Sequence, residues 1–112
     1  MAKIVVKVFE GSFVQKFYTS HIVSQSTQSF RRPLNEKSEQ YLKKLGRLGR
    51  DLVERIIKIR GVTMVDINSY EIRIEFGPAH DLETVQKSVL KVISELVFPG
   101  LDKSEIEIEI ME

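Results

Sequence analysis

Three segments of this chain alternate apolar and charged residues with a period of two. Glu105-Ile-Glu-Ile-Glu-Ile sets Ile106, Ile108 and Ile110 against Glu105, Glu107 and Glu109. Glu71-Ile-Arg-Ile-Glu-Phe sets Ile72, Ile74 and Phe76 against Glu71, Arg73 and Glu75. Near the start, Ile4, Val6 and Val8 share one side, and Lys3 and Lys7 share the other with Val5 between them. Successive side chains of a strand point to opposite faces, so each segment reads as a strand with one apolar and one mostly charged face. Two further segments carry the helical period instead. Tyr41, Leu45, Leu48, Leu52, Ile56 and Ile59 form one stripe, and Leu82, Val85, Val89, Val92, Ile93 and Leu96 form another. Two amphipathic helices can roof only one side of a sheet. The expectation is a single α+β domain over residues 1–112, a two-layer sandwich in the order β-β-α-β-β-α-β. Its sheet is mainly antiparallel, with both helices on its apolar face.

Local signals bound these elements. Lys3 to Phe9 is the first strand, Glu10-Gly11-Ser12 a turn, and Phe13 to Val23 the second strand, which makes a hairpin. Ser24 to Ser29 is polar and reads equally as an exposed edge strand or a loop. Pro33 discourages a continuing ladder. Asn35 or Ser38 caps the long helix, which runs to Arg60 and stops at Gly61. Gly46 and Gly49 weaken its middle by about 1 kcal/mol each relative to alanine, which invites a break. Val62 to Asn68 and Glu71 to Phe76 are strands joined by a tight turn. Gly77-Pro78-Ala79-His80 is a loop, Asp81 caps the second helix, and Pro99-Gly100 ends it. Glu105 to Met111 is the last strand.

Composition removes several chemistries. There is no cysteine, which excludes disulfides, thiolate metal sites and cysteine nucleophiles. The two histidines, His21 and His80, lie far apart in sequence, and no phosphate loop, nucleophile elbow or zinc-hydrolase signature occurs. Catalytic, cofactor-binding and metal-ligating residues are therefore expected to be absent, and no cofactor is implied. No apolar run approaches the length of a membrane span, and no secretory leader opens the chain, so the expected location is the cytoplasm, with no membrane partner. The net charge of +1 hides an asymmetry. Residues 1–60 hold 13 Lys and Arg against 5 Asp and Glu, and residues 61–112 hold 4 against 11. Such halves suit a charged partner, or a homo-oligomer in which they pair between subunits.

The stretch from Asp51 through Ile59-Arg60-Gly61-Val62, then Glu71-Ile72-Arg73-Ile74, then Leu82-Glu83-Thr84-Val85 and on to Leu96, resembles the N-terminal domain of Nfu/NifU-type iron–sulfur scaffold proteins. In that family a helix ending in I-x-G-V leads into two strands and a second helix. The resemblance covers roughly residues 50–96, with an echo at Ser29-Phe30. It implies a non-enzymatic accessory domain of iron–sulfur cluster assembly that recognises a protein partner. Two departures stand out. The first hairpin has Gly11-Ser12-Phe13 where the family has an Asn-Pro-Asn-like turn, and the cluster-ligating Cys-x-x-Cys module is missing. The family's domain has no agreed catalytic residues, so none carries over to this chain.

One set of residues competes for a different function. Lys43, Arg47, Arg50 and Lys58 share a side of the long helix with Glu54; Lys44 lies beside them, and Arg31 and Arg32 come just before it. These seven basic residues are the candidate contacts for a partner or for a nucleic-acid backbone. Gly46-Arg47-Leu48-Gly49 also matches the G-x-x-G loop with which KH domains clamp nucleic acid, so a KH-like or basic-helix module is the alternative. A solvated helix face, with Arg50/Glu54 and Glu54/Lys58 as supporting pairs, accounts for the same stripe without any ligand. His80-Asp81 reads as an ordinary helix cap, His21 as a surface or satisfied histidine, and the three C-terminal glutamates as a solvated row.

Overall fold

A computed structural model describes residues 3–78, 81–100 and 105–111. The strands are β1 (Ile4–Phe9), β2 (Val14–Thr19), β3 (Gln28–Arg31), β4 (Val62–Ile67), β5 (Glu71–Phe76) and β6 (Ile106–Met111). The helices are α1 (Glu39–Leu42), α2 (Gly46–Ile56) and α3 (Leu82–Val97), with short 3-10 turns at Glu36–Ser38 and Lys43–Leu45 around α1. One sheet holds all six strands in the order β3-β4-β5-β2-β1-β6. Every pairing is antiparallel except β1 with β6, which is parallel. The α+β, mainly antiparallel sheet expected from the alternation is what forms.

The register explains the core. On the helix side one row runs Ile108, Val6, Phe17, Ile72, Ile67, and the next runs Ile110, Val8, Gln15, Ile74, Val65, Phe30. Leu52, Val53, Ile56 and Ile57 from α2 and its end, and Val85, Val89, Val92 and Ile93 from α3, join the apolar residues of β1 to β5 in these rows in one buried cluster, while Ile108 and Ile110 of β6 stay exposed. Arg55 on α2 and Glu95 on α3 meet at 2.6 Å, so the two helices lie side by side on that face.

Three boundaries differ from the sequence expectation. The second strand ends at Thr19 rather than Val23. There the Thr19 hydroxyl donates to the His21 carbonyl at 2.7 Å and turns the chain, so Val23 drops into the core while Ile22 stays exposed. The polar stretch that follows divides. Ser24 Oγ donates to the Ser26 carbonyl at 2.6 Å in a side-chain turn, and then Gln28–Arg31 forms β3, an edge strand that places Phe30 inside. The element order thus gains a strand over the expected β-β-α-β-β-α-β.

The long helix is the third difference. Asn35 caps it as one of the two expected residues: its Oδ1 accepts from the backbone N–H groups of Lys37 and Ser38, and Ser38 Oγ accepts from Asn35 N–H. The single apolar stripe is then cut at Gly46, whose φ of 81° and ψ of 172° lie where residues with a Cβ rarely go. The helix ends at Ile56, earlier than Arg60, and Gly61 turns the chain into β4 with φ 101°. Asp81 caps α3 as expected, accepting from Thr84 N–H at 3.3 Å and from its hydroxyl at 2.8 Å. His80 lies outside the described residues.

Candidate functional site

The seven candidate basic residues do not form one stripe. Arg50 is withdrawn from it. Its guanidinium forks onto Glu39 at 2.7 and 2.8 Å, and its Nε donates to Glu54 at 2.9 Å. The Arg50 hydrogen bonds hold the Glu39 carboxyl below its ordinary range, and Glu39 and Glu54 raise Arg50 in turn. This is a tie between α1 and α2 across the break at Gly46. The expected Arg50/Glu54 pair is present. Lys58 is exposed and makes no ion pair with Glu54. Lys43 and Arg47 are exposed, and Lys44 lies 5.5 Å over the Tyr41 ring.

The Gly46–Gly49 segment is a break followed by the first turn of α2, not an open loop between helices. Gly49 is buried against the chain at Val23 and Ser24. A Cβ there would stand 3.0 Å from the Val23 carbonyl oxygen and 2.9 Å from Leu45 Cβ. Gly46 thus serves its backbone angles and Gly49 its packing, and little backbone is left free to clamp a phosphate.

Arg31 and Arg32 fall instead beside a cleft of about 360 Å³ at the end of β3, lined also by Lys37, Tyr41, Ser29 and Ser38. The arginines and Lys37 are exposed and make no ion pair among the described residues. Sequence pattern does not single out Lys37, and it places Tyr41 in the apolar stripe of the long helix rather than at a site. Tyr41 continues the helical stripe in period, yet it is 42% exposed, because the segment before Gly46 turns Leu42 and Leu45 into the core instead.

The uncovered face of the sheet carries a second arrangement. Its central row reads Glu109, Lys7, Lys16, Arg73, Asp66 across five strands. Lys7 lies 5.1 Å over the Tyr18 ring and Lys16 5.5 Å over Phe9, while Arg73 bonds Asp66 at 2.9 Å and Glu75 at 3.4 Å. Tyr18 hydrogen-bonds Glu71; that bond, partial burial and the nearby carboxylate push its phenol up to about 12. Lys3 reaches Glu107 at 3.1 Å. Three adjacent cations are flanked by carboxylates and aromatic rings, so this face is close to neutral, although Asp66 Oδ1 is buried without a hydrogen-bond partner among the described residues. Among the described residues no group of three or more His, Asp or Glu is placed to hold a metal ion, and no helix is long and apolar enough to cross a membrane.

No protein-family model matches the chain, and no curated protein matches it. Among solved structures the chain is similar to protein SAV1430 from Staphylococcus aureus, with a TM-score of 0.54 and 15% identity. That match covers 81% of this chain and 98% of the other. At that identity the likeness speaks to the fold: SAV1430 shares the layering of helices on a sheet seen here.

Proposed function

We propose that this chain is a non-enzymatic, cytoplasmic binding domain, a counterpart of the N-terminal accessory domain of Nfu/NifU-type scaffold proteins, acting on a protein partner in iron–sulfur cluster assembly. The observation that carries the reading is where the resembling residues fall. The described residues of 50–96 form helix, strand, strand and helix in sequence order. Ile59-Arg60-Gly61-Val62 makes the joint between α2 and β4, and Glu71-Ile72-Arg73-Ile74 lies in β5. Leu82-Glu83-Thr84-Val85 forms the first turn of α3 behind its Asp81 cap. Without cysteine the chain contributes recognition, not cluster ligation. The test is binding of the purified chain to purified cluster-assembly proteins, with co-purification from cells as the guide to which ones. Stable association with one of them is expected. Failure to bind any of them removes the iron–sulfur reading.

A second reading, contact with a nucleic-acid backbone, is favoured by the cleft that gathers Arg31, Arg32 and Lys37 beside Tyr41. On this reading, retention on RNA or DNA falls steeply with salt and is lost in Arg31→Glu/Arg32→Glu. That variant is a cleaner probe than reversal of Arg50, whose loss would break the tie to Glu39 and Glu54.

A further inference from the structure

We propose that the free edge of β6, with the groove between it and α3, binds an extended segment of a partner protein whose residues alternate apolar and basic, added to the sheet as a seventh strand. The proposal requires only that the chain binds protein, and it holds whatever pathway the partner serves.

The first support is a failure of cover. Along the row Ile108, Val6, Phe17, Ile72, the three inner residues are fully buried, yet Ile108 is 52% exposed. In the next row Val8, Gln15 and Ile74 are buried, and Ile110 is 64% exposed. Six strands span about 24 Å between edge strands, and two helices side by side roof about 20 Å. The roof falls short of the sheet's width, so that Ile106 still packs against the core while Ile108 and Ile110 of β6 are left uncovered. Between that side and α3 runs a groove of about 540 Å³ lined by Leu90, Ile106 and Ile108, with Gln86 along it and Lys87 and Lys91 on the helix side.

The second support is the unpaired ladder. Among the described residues β6 has β1 on one side and no strand on the other, so a row of backbone donors and acceptors is free to pair. The other edge, β3, is only four residues long and runs into Arg32-Pro33, which blunts it.

The third support selects the occupant by charge. On the open side of β6, Glu107 is bonded to Lys3 on its β1 side yet half exposed, and Glu109 stands opposite Lys7. A carboxylate accepts more than one hydrogen bond, which leaves both able to take a cation from the outer edge. Residues opposite each other in a ladder share a face. A second copy pairing edge to edge about a two-fold axis would set glutamate against glutamate and isoleucine against isoleucine, with like charges opposed. An incoming strand with lysine or arginine opposite Glu107 and Glu109, and apolar residues opposite Ile108 and Ile110, satisfies both faces. Lys87 and Lys91 disfavour cations on the helix side, so the surface demands alternation and not positive charge alone.

The experiment titrates the full chain into three labelled peptides of about eight residues, the length of an ordinary strand. One alternates valine and lysine, one has the same composition in two blocks, and one alternates valine and glutamate. Saturable binding of the first, well above the other two, is expected, with amide shifts in NMR spectra concentrated at residues 106–111. Glu107→Lys/Glu109→Lys, both at the surface, should weaken the first peptide about tenfold and favour the third. Equal binding of the block peptide overturns the proposal, as do shifts centred on the Arg31 cleft, absence of saturable binding, or a peptide-free dimer that protects the β6 amides. The wild-type peptide comparison decides even if the variant does not fold. It also stands apart from the assembly-protein test: loss of alternating-peptide binding removes the strand site, whereas loss of assembly-protein binding removes only the pathway.

Discussion

At the residue scale, the polar pair inside the core is the clearest departure from the apolar pattern. Gln15 occupies an inward position on β2 between Val8 and Ile74, fully buried, and Gln86 on α3 donates to its Oε1 at 3.2 Å. Among the described residues Gln15 Nε2 has no hydrogen-bond partner. Leaving a buried amide without its bond costs about 1–3 kcal/mol, whereas replacing both partners by apolar groups is nearly neutral. Gln86→Leu alone should therefore lower the urea midpoint, and Gln15→Leu/Gln86→Leu should restore most of the loss. Tyr18 supplies a second residue-level prediction. Its phenol titrates near 12 because Glu71 accepts its proton in a hydrogen bond. A folded-state value raised above the ordinary 10 means the associated stability is complete below pH 10 and is lost as pH rises through 12. In absorbance titrations the last tyrosinate to form should disappear in Tyr18→Phe and move to lower pH in Glu71→Gln.

At the element scale, the two glycines of Gly46-Arg47-Leu48-Gly49 look alike in sequence and differ in structure. Gly46 is held by its backbone angles, and alanine there should cost on the order of 1–3 kcal/mol. Gly49 has ordinary helical geometry, so alanine gains about 1 kcal/mol of helix propensity. It also forces a methyl toward the Val23 carbonyl at 3.0 Å, which belongs to backbone and yields little. Both substitutions should lower the thermal midpoint, for opposite reasons: Gly46→Ala by strain with α2 intact, Gly49→Ala by prising α2 from residues 23–24. Circular dichroism with amide exchange at Val23 and Ser24 separates the two. The glycines signalled a break that the apolar stripe did not, since Leu45, Leu48 and Leu52 continue the helical spacing across it. Periodicity reports which side is apolar, not whether one axis carries it.

At the scale of the whole molecule, the basic first half and the acidic second half meet within one chain. Lys3 on β1 bonds Glu107 on β6, Lys7 stands opposite Glu109, and Arg55 on α2 bonds Glu95 on α3, where it holds that carboxyl below its ordinary range. The parallel pairing of β1 with β6 brings the first and last strands side by side and sets the lysines of one against the glutamates of the other. A homo-oligomer built on pairing of the two halves between subunits thus has fewer free charges to use. Sedimentation should give a species of 12.9 kDa at low and high salt alike. A larger species that dissociates as salt rises would show instead that the halves also pair between copies.

Local pattern alone determined the strands with period two, the two helical stripes, the cap at Asp81, a choice of Asn35 or Ser38 for the other cap, and the choice of one covered and one open sheet face. Each follows from neighbours a few residues apart, where backbone geometry ties spacing to direction. Only the tertiary structure decided that Gln28–Arg31 pairs with β4, that Arg50 is spent on Glu39, that Arg31 and Arg32 share a cleft with Lys37 and Tyr41, and that Ile108 and Ile110 of β6 are left uncovered. Those outcomes depend on contacts between residues distant in the chain and on the widths of two helices against six strands, and no sequence window contains either quantity.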